Sequence, residues 1–239
     1  MLSIIIPARN EADNLEDILQ YFLKGLHDIE FEVILVNDFS DDNTLEKSQS
    51  VFREHKNFRV VNNQVKGLGG AINLGIRESR GKKISIMMAD LSDDINDLRK
   101  YNKIMDENKL DAVLGSRFLK ESKVTDYPLK KLILNRIFNF FVGIIFMNKF
   151  NDYTNAFKIY KSETLKSMSP FISESFNIFL EIPLKIISRN YAYEITNINW
   201  YGRKKGKAKF RINELKSKYL FTLIYCFLEK NLLKVRKIK

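Results

Sequence analysis

The chain has 239 residues, of which 45% are hydrophobic, a size and composition that suit one large globular domain or slightly more and exclude a disordered chain. Its one cysteine, Cys226, excludes an internal disulfide and suits a reducing compartment. The formal net charge of +11 lies in residues 203–239, which carry thirteen Lys or Arg against Glu214 and Glu229. Such a basic segment suits an anionic partner such as nucleic acid, lipid or a phosphorylated substrate.

Apolar runs alternate with helical patterns through the first half of the chain, and the opening MLSIIIPARNEADN has no basic start, so we expect no secretory signal. The pattern predicts strands at 2–6, 31–36, 58–61, 84–88 and 111–115, and helices near 14–26, 43–53, 70–79 and 95–107. Strand and helix in alternation at this spacing predict an α/β domain with a mostly parallel sheet, flanked by helices and joined by right-handed crossovers.

Polar clusters follow three of these strands: PARNE, NDFSDDNT and ADLSDD. Ligands of such sheets bind beyond the carboxyl ends of the strands, so these clusters are expected to share one edge. The last of them has two interpretations from its residues alone. Ser92 or Asp93 could cap a helix that begins at Ile95, or the carboxylates could hold a divalent metal.

Two segments of the second half combine apolar residues with flanking cations. They are PLKKLILNRIFNFFVGIIFM at 128–147 and YLFTLIYCFLEKNLLKVRKIK at 219–239. The uninterrupted apolar part of each is shorter than the ~20 residues of a transmembrane helix. Either could be a core helix, but together they favour amphipathic helices that lie in a membrane interface. We expect residues 212–239 to form a basic amphipathic helix, and removal of 219–239 to release the protein from membranes without loss of nucleotide binding.

The Gly-rich segment KGLGGAINLG at 66–75 is not a dinucleotide fingerprint, because it follows the third predicted strand and its glycine spacing is imperfect. A Gly-rich turn into a helix can still admit a phosphate or a sugar close to the backbone.

Taken in order, the motifs resemble those of family-2 glycosyltransferases with the GT-A fold. They are IIIPARNEADNL, EVILVNDFSDDNT, KGLGGAINLG, MADLSDD and DAVLGSRF. Three later segments, NDYTNAFKIY, FNIFLEIPLK and WYGRKKGKAKFR, are similar to polyprenyl-phosphate sugar synthases such as dolichol-phosphate mannosyltransferase and undecaprenyl-phosphate glucosyltransferase. The resemblance implies a GT-A domain over 1–211, with a nucleotide-sugar half at 1–120 and an acceptor half at 121–211.

The resemblance also implies residue roles. Asp90 and Arg117 would be catalytic, with Asp90 holding a Mg²⁺ or Mn²⁺ that bridges the donor diphosphate. The nucleotide would be bound by Pro7, Ala8, Arg9, Glu11, Val36, Asp38, Lys66, Gly69, Ala89 and Asp90. The acceptor phosphate would be bound by Lys131, Arg136, Arg203 and Lys209.

Four positions depart from the family pattern. Met88 stands where the metal motif usually has its first Asp, and Phe39 where a Gly is common after the nucleoside Asp. Lys158 replaces a usual Arg, which exchanges a bidentate fork for a point charge. Ala208 replaces a frequent Ser. With Met88 in place, the ion would depend on Asp90, diphosphate oxygens and water, with Asp93 or Asp94 as further candidates.

These features predict an inverting transferase that moves a sugar from a UDP- or GDP-linked donor to a polyprenyl phosphate. A lipid phosphate is already an anion and needs no general base, whereas an alcohol acceptor would need one. We expect a cytoplasmic enzyme, peripheral on an anionic membrane surface, with no nucleic-acid partner.

Three alternatives remain open from the sequence. A family-2 enzyme of surface polysaccharide synthesis would use a sugar hydroxyl acceptor, with Asp93, Asp94 or Glu181 as base. A nucleic-acid-binding module would use the basic tail. An inactive relative acting as a scaffold is suggested by Met88.

Overall fold

The computed structural model describes residues 1–203 and 212–233, with side chains described at 1–203 and 217–232. In this part of the chain seven strands form one sheet in the order β3-β2-β1-β4-β7-β5-β8, and β6 pairs with β9 in a separate two-stranded sheet. The strands are β1 (Leu2–Ala8), β2 (Phe31–Asn37), β3 (Phe58–Asn62), β4 (Lys83–Ile86), β5 (Ala112–Ser116), β6 (Val124–Thr125), β7 (Lys158–Lys161), β8 (Tyr193–Asn197) and β9 (Trp200–Tyr201).

The central strands are continuous apolar runs because helices cover both faces of the sheet. Every residue of β1 and of β2 is buried, and the two pair in parallel from Leu2 with Phe31 to Ala8 with Asn37. The helices are α1 (Leu15–Gly25), α2 (Thr44–Phe52), α3 (Leu68–Glu78), α4 (Ile95–Asn108), α5 (Leu129–Phe146), α6 (Ser162–Met168), α7 (Ile178–Ser188) and α8 (Ile212–Leu228). The predicted mostly parallel α/β architecture is confirmed.

Two strands of the sheet lie outside the predicted set. β7 pairs antiparallel with both β4 and β5 and so separates them, and β8 extends the sheet in parallel with β5. The predicted strand at 84–88 ends earlier, at Ile86. Met87 and Met88 therefore already belong to the connection that leads to the polar cluster at 90–94.

The sheet separates two apolar cores. One core packs α1 and α4 against β1, β2 and β5 through Leu15, Ile18, Phe22, Leu98 and Tyr101. The other holds side chains of α3, α5, α6, α7 and α8, including Ile72, Val142, Leu165, Leu184 and Cys226. The helices of the second half of the chain thus share one core.

The helix α8 is tied to α7 by buried polar groups. Thr222 is fully buried and accepts a hydrogen bond from Asn177 at 2.9 Å, and Glu229 forms an ion pair with Arg189 at 2.7 Å. Breaking such contacts would leave buried polar groups without partners. Removal of 219–239 would therefore also take away part of this core, in addition to the expected release from membranes.

No helix in the described ranges 1–203 and 212–233 combines the length and apolar character needed to cross a membrane. The 18 residues of α5 nevertheless expose large apolar side chains, as do those of α8 after residue 217.

Candidate active site

The carboxyl ends of β1 and β2 form the first wall of the candidate site. Pro7 and Ala8 lie opposite Val36 and Asn37 in the parallel ladder. Pro7, Ala8 and Val36 are buried, with Val36 fully so, and their side chains belong to the interior of the sheet. They can shape the floor of a nucleoside pocket, while polar contacts must come from the residues that follow.

Asp38 follows β2 and is buried within a hydrogen-bond network. Its Oδ1 accepts from the amide of Asn63 and from the backbone N–H of Gly67, each at 2.8 Å, and its own N–H donates to the Ala8 carbonyl. These bonds hold the carboxylate where β1, β2 and the turn before α3 meet. The predicted nucleoside residue is thus rigidly oriented at the sheet edge.

Glu11 and Arg9 lie on the same edge with different exposure. Glu11 is buried, its carboxylate accepts from Asn14 at 2.7 Å, and its N–H donates to Thr44 Oγ1. Arg9 is partly exposed, with its guanidinium 3.8 Å from the carboxylate of Asp41. Glu11 therefore stabilises the loop, and Arg9 is the more accessible of the two.

Gly69 lies in the first turn of α3, but its close neighbour is protein backbone. Its N–H donates to the Glu174 carbonyl at 3.0 Å, and a Cβ at this position would overlap the carbonyl oxygen of Ser173. The 173–174 backbone therefore requires a glycine at this position, and the close approach of a phosphate or sugar stays a prediction. Lys66, two residues before α3, is exposed.

Asp90 is the first carboxylate of the polar cluster ADLSDD and follows the buried Ala89. Its Oδ1 accepts the N–H of Ser92 at 3.2 Å, and its Oδ2 pairs with Arg203 at 2.9 Å. The helix α4 is capped by Asp94, whose side chain accepts from the Asn96 N–H. The predicted cap at Ser92 or Asp93 is therefore wrong, because the capping residue is Asp94. Asp90 takes no part in the cap.

Asp93 is the most unusual carboxylate of the cluster. It is 3% exposed, and its Oδ2 has no hydrogen-bond partner among the described residues. Burial, with a smaller contribution from neighbouring Asp90, raises the pKa of Asp93 to about 7 against the opposing charges of Arg117 and Lys158. Asp93 therefore titrates near neutral pH.

Arg117, which follows β5, is buried and forms a bidentate ion pair with Asp152. Its Nε and Nη2 donate to the two carboxylate oxygens of Asp152 at 2.8 and 2.7 Å, and its backbone N–H donates at 2.9 Å. Burial would lower the pKa of Arg117, but the ion pair and hydrogen bonds with Asp152 raise it. This fork-to-fork geometry fixes a permanent positive charge near Asp93.

Three of the four predicted acceptor-phosphate cations lie near this charge. Arg117 and Lys131 both pack against the ring of Tyr127, at 5.5 and 5.4 Å from its centroid. Burial lowers the pKa of Lys131, and the positive charges of Arg117 and Arg203 lower it further. Arg136 lies 5.7 Å from the ring centroid of Phe118, and Arg117 lies 5.3 Å from the same ring. The fourth, Lys209, falls outside the described residues.

Backbone pairing explains why these distant residues meet. β9 pairs with β6, and its Tyr201 N–H donates to the Ser92 carbonyl while Trp200 forms a bridge with Asp93. Arg203 follows β9 after Gly202, and Lys131 lies in the first turn of α5, shortly after β6. The pairing therefore carries both cations to the side of Asp90.

Lys158 and Glu181 have structural partners. Lys158 is fully buried and donates to the backbone carbonyls of Tyr153 and Asn155, and burial lowers its pKa to about 7. Glu181 is fully buried, accepts the N–H groups of Ile172 and Ser173, and pairs with Lys185 at 2.8 Å. The use of Glu181 as a base for an alcohol acceptor is therefore not supported.

The chemistry of the donor set bears on the divalent metal. No group of three His, Cys, Asp or Glu side chains is assembled for a metal within the described ranges, in keeping with Met88 at the first motif position. Mg²⁺ commonly binds one or two carboxylates and completes its shell with phosphate oxygens and water. Asp90, a single carboxylate that pairs with Arg203, therefore fits a metal ion whose other ligands would be diphosphate oxygens and water.

Sequence reasoning missed two members of the site. Asp152 lies in the quoted motif NDYTNAFKIY, yet nothing in its spacing pairs it with Arg117, 35 positions earlier. Phe118, whose ring lies close to the guanidinium groups of Arg117 and Arg136, had no sequence signal beyond its place after Arg117.

The model of the family described as Glycosyl transferase family 2 matches residues 3–168. The chain belongs to glycosyl transferase family 2. The match covers the sheet through β7 together with Asp38, Asp90, Arg117 and Lys131, and the resemblance of the motifs to this family is confirmed.

Among curated members of the family, a dolichol-phosphate mannosyltransferase of Pyrococcus furiosus is 28% identical over 189 residues, covering 77% of this chain and 52% of that protein. A dolichyl-phosphate β-glucosyltransferase of Dictyostelium discoideum is 29% identical over 219 residues, covering 83% of this chain and 66% of that protein. A dodecaprenyl-phosphate galacturonate synthase of Rhizobium johnstonii is 29% identical, with 70% and 49% covered. The chain thus spans about half to two thirds of the length of these relatives.

Solved structures of glucosyl-3-phosphoglycerate synthase from Mycobacterium tuberculosis share the fold. The complex with Mn²⁺, UDP-glucose and phosphoglyceric acid has a TM-score of 0.74 at 13% identity, covering 95% of this chain and 79% of that one. The complex with Mg²⁺ and UDP has a TM-score of 0.72 at 14% identity, with 96% and 79% covered. The family-2 chain described here therefore has the GT-A fold.

Proposed function

We propose that this family-2 chain transfers a sugar from a nucleotide diphosphate sugar to a polyprenyl phosphate at a membrane surface, with inversion at the anomeric carbon. The observation that carries the proposal is the cation cluster of Arg117, Lys131 and Arg203, in which Arg203 pairs with Asp90 at 2.9 Å and the other two pack against the ring of Tyr127. A donor diphosphate at Asp90 would thus face cations suited to a second phosphate. The curated relatives, whose names specify polyprenyl phosphates, support this acceptor class.

The donor half of the reaction depends on Asp38 and Asp90. Asp38 would accept hydrogen bonds from the nucleoside, beside the pocket floor of Pro7, Ala8 and Val36. Asp90 would hold a Mg²⁺ or Mn²⁺, which, when bound, stabilises the negative charge that develops on the leaving diphosphate. The structural neighbours were solved in complexes with Mn²⁺ and UDP-glucose or with Mg²⁺ and UDP, which supports this metal class.

The acceptor half depends on the cations. A lipid phosphate is a nucleophile without loss of a proton, so the protein must position it and reduce its repulsion from the donor diphosphate. Arg117 is suited to this because Asp152 holds its Nε and Nη2, and Nη1 has no hydrogen-bond partner within the described residues. Lys131 and Arg203 would complete the phosphate site, with Lys209 and Arg136 as further candidates.

The lipid chain requires an apolar surface next to these cations. The helices α5 and α8 contact each other through Phe138 with Tyr219 and Phe146 with Phe227. On their outer side they expose Ile133, Leu134, Phe141, Ile144, Phe221 and Ile224. Exposed apolar side chains of this kind, flanked by Lys and Arg, suit binding to the interface of an anionic membrane. The membrane side would be the one on which the nucleotide sugar is present, which we propose is the cytoplasmic face.

A groove along α5 connects the cations to this apolar surface. Its volume is about 660 Å³, Phe118 and Arg136 lie at its lining, and Ile137, Phe140 and Phe150 contribute apolar walls. Because Phe118 also touches Arg117, a phosphate at Arg117 would place its hydrocarbon chain at the entrance of the groove.

The proposed function is tested by transfer of label from UDP- and GDP-linked sugars to a short-chain polyprenyl phosphate, with Mg²⁺ or Mn²⁺ present. Lipid-linked product is expected from either the UDP-linked or the GDP-linked sugars. No product is expected when EDTA removes the divalent ion. Transfer to free glycans in place of lipid phosphate would favour the polysaccharide alternative, for which Asp93, with its pKa of about 7, is the carboxylate suited to act as base. Absence of both transfer and donor hydrolysis would favour the inactive scaffold.

A further inference from the structure

Three strand ends at the candidate site carry residues other than glycine in the left-handed backbone region. They are Asn10 after β1, Phe39 after β2 and Leu91 after β4, with φ angles of 52°, 52° and 54°. Asn tolerates this conformation, whereas a bulky side chain there is an outlier. Strained residues tend to persist at functional sites, where the surrounding structure holds them in place.

Packing does not account for Phe39. Its ring is 43% exposed and belongs to neither apolar core. A glycine would adopt the same backbone without strain and without exposing an aromatic ring to water. The side chain itself is therefore the feature to explain.

The surroundings of Phe39 indicate a ligand. It follows Asp38, whose carboxylate is fixed by Asn63 and Gly67 at the pocket of the proposed nucleoside. The Nζ of Lys66 lies 6.0 Å from the ring centroid, so Lys66 makes a cation–π contact with the ring of Phe39. An exposed flat ring beside a carboxylate that can accept hydrogen bonds suits a nucleobase, since any base presents a π-face for stacking.

We infer that Phe39 binds the donor nucleotide by stacking its ring on the base, with Lys66 supporting the ring. The inference rests on the proposed function, because it concerns the donor of that reaction. It assigns a role to the aromatic ring at a position where the family commonly has glycine, and it accounts for the retention of a strained backbone.

The experiment measures dissociation constants of UDP, GDP and inorganic pyrophosphate by calorimetry with Mg²⁺ present. The variants are Phe39→Leu, which keeps bulk and backbone strain but removes the flat ring, and Phe39→Tyr, which keeps the ring. Val65→Ala is the matched control, because Val65 is another exposed apolar residue on the neighbouring loop. Phe39→Leu is expected to weaken the preferred nucleotide about tenfold, equal to about 1.4 kcal/mol, and to leave pyrophosphate unchanged.

Phe39→Tyr and Val65→Ala should stay within twofold of the unaltered chain. Phe39→Gly separates a structural role from a binding role: relief of the strained backbone should leave the melting temperature unchanged or raised, while nucleotide affinity falls as in Phe39→Leu. Equal nucleotide affinity in Phe39→Leu, or equal losses for nucleotide and pyrophosphate, would overturn the inference alone. Binding of neither UDP nor GDP by the unaltered chain would contradict the proposed function, and the inference with it.

Discussion

Asp90 and Arg203 form an ion pair in which Oδ2 and Nη2 are 2.9 Å apart, although 113 positions separate them in the chain. Asp90 belongs to the proposed donor site and Arg203 to the proposed acceptor site. The pair therefore shows that the two proposed sites adjoin.

Asp90→Asn is expected to reduce sugar transfer by at least a hundredfold while leaving the melting temperature close to that of the unaltered chain. The substitution removes the one negative charge proposed to hold the metal, and Asp90 is not part of the α4 cap. Transfer is measured across a Mg²⁺ and Mn²⁺ titration. Asp94→Asn is the control, because Asn caps a helix as well as Asp does. Near-normal transfer by Asp90→Asn would contradict the metal role.

Lys131→Ala and Arg203→Ala are expected to raise the KM for polyprenyl phosphate with little change in the KM for the nucleotide sugar. Hydrogen bonds to charged groups contribute about 1.5–3 kcal/mol, which corresponds to roughly tenfold to hundredfold. Lys130→Ala is the matched control, since Lys130 is exposed and adjacent in sequence. Equal effects at Lys130 and Lys131 would indicate a diffuse positive surface in place of a defined phosphate site.

The exposed faces of α5 and α8 are expected to bind membranes. Leu134→Ser combined with Phe141→Ser removes two side chains that are more than half exposed on α5. Because a large apolar side chain gains about 1.5–3 kcal/mol on full burial, the double variant should lose most of its binding to anionic vesicles in a flotation assay. Val65→Ser, in the loop between β3 and α3, replaces an exposed apolar side chain outside α5 and α8 and should bind as the unaltered chain does. Flotation unaffected by the double variant would exclude this face.

Stability should fall as the pH rises from about 4 to 7, through Asp93. Burial raises the pKa of this group to about 7, so between its unfolded and folded pKa values the native state binds more protons than the unfolded state. The contribution is fully present below about pH 4 and is lost as the pH passes 7. Asp93→Asn should flatten this part of the profile in urea titrations between pH 4.5 and 8. The same slope in the variant would show that Asp93 is not the group responsible.

Lys158 has the opposite linkage and serves as an internal check. Burial lowers its pKa to about 7, so above that pH the unfolded state binds more protons, and stability should rise with pH from about 7 towards 10. Because the charge of Asp93 raises the pKa of Lys158, Asp93→Asn should lower that pKa further, so the rise in stability should begin at a lower pH.

The sequence by itself determined the local elements and the class of fold. Apolar runs such as LSIII and FEVILV predict buried parallel strands because each run carries its own signal, and the bounds of α2 and α4 were predicted to within about one residue for the same reason. The acidic clusters at strand ends located Asp38 and Asp90, since the carboxyl ends of parallel strands share an edge. The ordered motifs identified the family.

Only the tertiary structure decided the relationships between distant segments. The antiparallel insertion of β7, the grip of Asp152 on Arg117 and the docking of Thr222 on Asn177 depend on pairings 35 or more positions apart, which no periodicity encodes. The same holds for Gly69, against which the 173–174 backbone packs so closely that a side chain would not fit. The physical reason is that hydrophobic periodicity reports which face of an element is buried, whereas its partner there is selected by chain topology and by the requirement that buried polar groups be paired.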